Sequence, residues 1–216
     1  MTVGLSGCSA VGEPSVLDQL RDRRQAASRT LPYDSITDLL PNTTYRMGEG
    51  PEFQFSTVVI TGTFGDVTPG RAYGPEESAA GLEVPFDSDD ALWRTYHVEV
   101  DVDRVLAGVR PSDPVVMGLA LNGSADLAGV REDLVELGTV VLFLGPSQVF
   151  EYADGVLGSA QDGELIGTLS ADGSITFPVL SREDSAALAN GVTVASLEAA
   201  AQTGRHSSNS THPGRA

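Results

Sequence analysis

The sequence predicts a mainly β domain with helical segments at both ends, and three stretches carry that expectation. In TYHVEVDVDRVLAG (95–108), Tyr96, Val98, Val100 and Val102 alternate with His97, Glu99, Asp101 and Asp103, the period of a strand with one face buried. TVVLFLG (139–145) is a short unbroken apolar run, the pattern of a central strand. Asp154-Gly155 separates QVFEY from VLGSA, and Asp172-Gly173 separates ELIGTLS from SITFPVL. Asp-Gly pairs between apolar stretches signal hairpins, the second a type I′ turn candidate.

The remaining segments follow in chain order. Residues 1–14 read as an N-terminal signal remnant and tether, and residues 15–51 as a helical extension. Within it, SVLDQLRDRRQAAS (15–28) is rich in helix formers, with Ser15 as cap and Val16 and Leu20 on one face. Asp34 or Ser35 can start a further short turn of helix, which Pro41 ends. The β domain spans 52–180. EFQFSTVVITGTFGDV opens it, with Gly62 and Gly65 marking a bulge or bend. Residues 69–91, with several Gly and Pro, read as a long loop, and DPVVMGLAL (113–121) as a strand. NGSADLAGVREDLVELG (122–138) mixes polar and apolar residues and reads as a loop. At 181–202 the period changes to helical, with Ser181 and Thr193 as caps and Gly191 between two helices. The polar stretch 203–216 reads as a disordered tail.

Composition excludes several functions. Thirty acidic residues stand against 13 basic ones, a net charge of −17, and all 13 cations are Arg. No basic stripe exists for a nucleic-acid backbone, so no nucleic-acid partner is expected. A single cysteine rules out an internal disulfide framework and Cys-cluster metal sites. There is no G-x-S-x-G elbow, no H-E-x-x-H and no lysine for a Ser-x-x-Lys pair. His206 and His212 fall in the tail, which leaves His97 as the one histidine of the β domain. No cofactor is expected and the chain does not read as an enzyme.

The lone cysteine is preceded by Leu5-Ser6-Gly7 and followed by small residues. Leu5-Ser6-Gly7-Cys8 resembles the lipobox of bacterial lipoproteins, whose cysteine is lipidated and becomes the mature N-terminus. The resemblance implies lipidation of Cys8 and attachment at the extracytoplasmic face of the cell membrane. The basic and apolar regions of a signal peptide do not precede it here, which suggests a start codon set inside the signal peptide. The alternative is a cytosolic protein of unknown role with Met1 as its true start and Cys8 an ordinary thiol.

The order VVITGT, YHVEVDVDRVLAG, VVMGLAL, ELGTVVLFLG, across about 90 residues by apolar-position count, resembles the OB-fold barrel of netrin-type and tissue-inhibitor-of-metalloproteinase-like domains. The resemblance implies a small OB-like barrel or a related antiparallel β domain with flanking helices. The disulfides of the animal members are missing, and with them the cysteine arrangement that chelates protease zinc, so inhibition is not carried over.

Two groups of side chains stand out as sites. Asp87, Asp89 and Asp90 in FDSDD, with Glu99 and Asp101 on the polar face of the next strand, could form one acidic patch for a weak calcium site. The same residues also fit an exposed turn and a solvated strand face, whose i, i+2 side chains lie about 7 Å apart. Tyr73, Phe86 and Trp93 lie among polar neighbours in the 69–95 stretch, where a contact surface would be sought. The functional expectation is a non-enzymatic, envelope-anchored lipoprotein that binds a protein or small ligand at the cell surface.

Overall fold

The computed structural model describes residues 14–27, 35–46, 52–75, 82–111, 113–147 and 150–203. Cys8, residues 9–13 of the tether and tail residues 204–216 lie outside the described residues. In chain order the elements are α1 (Val16–Ala27), a 3₁₀ turn (Ile36–Leu39), β1 (Tyr45–Arg46), β2 (Glu52–Phe53), β3 (Val58–Tyr73), β4 (Glu83–Val84), β5 (Trp93–Gly108) and β6 (Val115–Asn122). Then come α2 (Leu127–Glu136), β7 (Val140–Gly145), β8 (Val156–Ser159), a second 3₁₀ turn (Ala160–Gly163), β9 (Gly167–Leu169), β10 (Ile175–Thr176), α3 (Arg182–Ala189) and α4 (Val194–Gln202).

Five strands close into a barrel in the order β3–β5–β6–β8–β7, with β7 returning to β3 through pairs from Val58↔Leu144 to Gly62↔Val140. All pairs are antiparallel except β6–β8. A three-strand meander, a helix (α2) between the third and fourth strands, and a parallel closure of third on fifth make this an OB-like barrel. β3 and β5, 16 residues each, bend around it, and their register shifts at four places. Gly62 is required at one bend: a Cβ there would lie 2.3 Å from the Asp101 carbonyl oxygen.

The alternation of the strands separates two cores. Val58, Ile60, Tyr96, Val98, Met117, Leu119, Leu142 and Leu144 fill the barrel, joined by Val16 and Leu20 of α1 and Val130 and Leu134 of α2. Val59, Val141 and Phe143 point outward and meet Ile36, Leu39, Ile175, Phe177, Leu188 and Leu197 in a second core beneath β9, β10, α3 and α4. β7 is therefore buried on both faces, which is why its sequence is an unbroken apolar run.

Polar contacts fasten α1 to the barrel. Arg21 Nε donates to the Pro178 carbonyl at 3.0 Å, Arg23 Nη1 to that of Ala120 at 2.9 Å, and Arg23 Nη2 to that of Asp162. Arg24 pairs with the fully buried Glu164 at 3.0 Å.

Three local expectations are corrected. The stretch 122–138 is not all loop: Asp126 accepts hydrogen bonds from the Ala128 and Gly129 amides and caps α2, whose Val130 and Leu134 are buried. The 69–91 stretch is less open than expected, because β3 runs on to Tyr73 and Glu83–Val84 pairs back with it. At the two Asp-Gly steps, the described part of QVFEY, Phe150–Tyr152, forms no strand beside β8, which pairs instead with β6 and β7. Gly173 does turn β9 into β10, but only Gly173 has positive φ (81°), with Gly173 N–H donating to Ser170 O and Ser170 N–H to Ser174 O. A type I′ turn needs positive φ at two successive residues, so this is a longer turn with a left-handed glycine. Both C-terminal helices form where expected, capped by Ser181 and Thr193.

Candidate functional site

The outer face of β3, β5 and β6 carries a cluster of rings. Strand register sets Tyr73 opposite Trp93, and Thr68 and Gly118 on either side of His97. Phe150–Tyr152, between β7 and β8, lie across this face. Phe150 lies 6.2 Å from Trp93 and 6.3 Å from Tyr73 between ring centroids, tilted 54° and 43°. Tyr152 meets His97 edge-on at 6.5 Å and 75°. All five residues are half-buried, so ring surface remains open to a partner.

The packing of Tyr152 depends on a glycine. A Cβ on Gly118 would sit 2.5 Å from Cε2 and Cζ of Tyr152, so the phenol ring lies flat on the β6 backbone. Burial raises the Tyr152 phenol well above its ordinary range, the nearby Asp162 carboxylate adds to this, and Arg23 opposes it. Burial likewise lowers His97, which favours the neutral imidazole.

A polar rim borders the rings. Arg71 stands between Glu83 at 3.8 Å and Glu151 at 3.5 Å, and all three side chains are exposed. The Arg71 backbone is pinned by Thr95, whose Oγ1 accepts from Arg71 N–H at 2.7 Å and donates to Arg71 O at 3.0 Å. Gly74 N–H donates to Leu82 O and Leu92 N–H to Tyr73 O, which sets Leu82 and Leu92, 60% and 53% exposed, at the same end of the barrel.

Among the expected contact residues, Tyr73 and Trp93 belong to this face, whereas Phe86 turns inward. Its ring packs edge-on to Tyr96 at 5.6 Å and beneath the Arg94 guanidinium at 5.5 Å, covering the barrel core. Asp87, Asp89 and Asp90 are exposed in the turns that lead into β5, with Asp90 N–H donating to Ser88 Oγ. Glu99 and Asp101 are exposed further along β5. They line a separate open depression of about 360 Å³, with Asp103, Arg110 and Asp113. Among the described residues, no three His, Cys, Asp or Glu side chains are grouped so as to hold a metal ion. Phe150, Tyr152 and Arg71 were not expected at a site. Their one sequence signal was two rings in a short segment between Pro146 and the Asp154-Gly155 turn.

Searches against protein-family models, curated proteins and solved structures find no match for the chain. Among the described residues no helix is long and apolar enough to cross a membrane.

Proposed function

We propose that this protein is a non-catalytic binding module of the cell envelope, held at the extracytoplasmic face by a lipid on Cys8, with the Trp93 face as its contact surface. The observation that carries the contact surface is the convergence of Tyr73, Trp93 and Phe150 beside the exposed Leu82 and Leu92. Half-open aromatic side chains offer large, rigid contact area at small entropic cost, the chemistry of interface anchors. Leu5-Ser6-Gly7-Cys8 supports the anchor, and α1 begins at Val16, only a few residues further on.

Two measurements test the two halves. Intact-mass analysis of the protein from the membrane fraction of its native host should show Cys8 as the N-terminus with a diacylglycerol-sized addition; a soluble species with a free thiol removes the anchor. A photocrosslinking residue at position 93 should give a discrete adduct on intact cells. One at position 135, exposed on α2, should not. No adduct at 93, or the same adducts at both positions, removes the contact surface.

A further inference from the structure

Charge and geometry around Trp93 select among partners. Among the described cations near the rings, Arg23 donates to the Ala120 and Asp162 carbonyls, and Arg94 is committed internally: Nε donates to Phe86 O at 2.8 Å, Nη1 to Ala125 O at 3.2 Å and Nη2 to Ser88 O at 3.2 Å. Arg71 is shared by Glu83 and Glu151, leaving two carboxylates against one guanidinium, and all three are solvent-facing. Asp87, Asp89 and Asp90 lie exposed just before Trp93. The rim is thus net negative on a chain that already carries −17, so anionic ligands are repelled and cationic ones steered in. The ring faces act in the same direction, because their quadrupole attracts ammonium and guanidinium groups. Leu82 and Leu92 add apolar contact for the stems of such side chains or for their neighbours. Finally, β4 carries Glu83 and is the last strand of its sheet, paired only with β3 among the described residues. Its outer edge can take an additional extended segment.

We infer that the Trp93 face binds an extended basic segment of a partner protein, in which Arg or Lys alternates with apolar residues. This rests on the reading of that face as the contact surface. The cations would meet the rings and the carboxylates of Glu83 and Glu151, and the apolar residues would meet Leu82 and Leu92.

Trp93 is the only tryptophan, so its emission reports the face directly. A short alternating Arg-Val peptide should shift that emission, with affinity falling at least tenfold as salt rises from about 50 to 300 mM. E83Q/E151Q should weaken binding several-fold. D101N/D103N removes the same number of charges from the distant part of β5 and should change it less than twofold. The inference is overturned if a Glu-Val peptide or a neutral chito-oligosaccharide shifts Trp93 equally, or if the distant pair weakens binding as much as the near pair. It also falls, alone, if position 93 crosslinks on cells while the basic peptide leaves Trp93 unmoved. Absence of that crosslink removes the underlying contact surface instead.

Discussion

Gly118→Ala is the sharpest perturbation of the site, because it adds one methyl group at a point where the structure has no room. The new Cβ would stand 2.5 Å from Cε2 and Cζ of Tyr152 and 2.6 Å from Cδ2. Unstrained carbon pairs sit about 3.5–4.0 Å apart, so the ring must retreat by roughly 1 Å. Neither neighbour yields easily. Gly118 is locked in the ladder by pairing with His97 on one side and Gly158 on the other. Tyr152 is held between His97 and the Asp162–Arg23 region. Insertion of a methyl group into a packed site costs about 1–3 kcal/mol, and a chain of this size loses about 2–4 °C of Tm per kcal/mol.

Thermal unfolding by circular dichroism reads the stability, and Trp93 emission reads the packing of Phe150–Tyr152, since Phe150 sits against Trp93 two residues before Tyr152. In a Tyr152→Ala background the added methyl group has space, so Gly118→Ala should then cost little, giving a coupling of order 1–3 kcal/mol. A single substitution that leaves Tm and Trp93 emission unchanged would refute the packing of Tyr152 on β6. So would costs that simply add in the double variant.

Other outcomes follow from the same contacts. Leu20→Ala empties a fully buried position between α1 and the barrel and should cost about 2–5 kcal/mol by denaturant unfolding. Arg94→Lys keeps the charge but cannot reach three carbonyls at once, and each hydrogen bond lost from a charged donor is worth about 1.5–3 kcal/mol; an unchanged Tm would contradict that arrangement. In a spectrophotometric titration Tyr152 should ionise above the ordinary phenol range near 10, and Tyr152→Phe should remove that component from the high-pH part of the curve. Because the folded value is raised, this group supports the native state fully below about pH 10, and that support is lost progressively as pH rises from there toward the raised folded value. His97 is shifted the other way, so stability should fall as pH drops from about 6.5 toward its lowered folded value, and His97→Gln should flatten that part of the Tm–pH curve.

The strands were legible where one physical rule set the pattern. β5 shows its alternation because Val98 and Val100 face the barrel while Glu99 and Asp101 face solvent. β7 shows none because Leu142 and Phe143 each enter a core. α2 was hidden: Gly129 interrupts it, and only Val130 and Leu134 mark its buried face. Half of the candidate site could be read as well. Tyr73 and Trp93 stood out as rings among polar neighbours, but Phe86, in the same setting, packs on Tyr96. Phe150 and Tyr152 reach the face from the connection between β7 and β8, remote in sequence from Trp93 and Gly118, and no local period encodes such a contact. Its trace in the sequence is a single glycine inside an apolar strand.

The use of arginine connects the fold to the partner chemistry. A guanidinium holds several donors in a fixed fork and bridges backbone carbonyls from separate segments, which a lysine ammonium does poorly. Arg23 joins α1 to β6 and to Asp162, where Gln161 and Asp162 both take left-handed backbone conformations. Arg94 joins β5 to the preceding loop and to the turn before α2. Arg21 and Arg24 join α1 to the segment around α3 and to Glu164. Cations spent in this way close the structure, while the carboxylates remain mostly at the surface. The same allocation that fastens the N-terminal helix therefore leaves the Trp93 face acidic, which is the charge balance that the proposed basic partner requires.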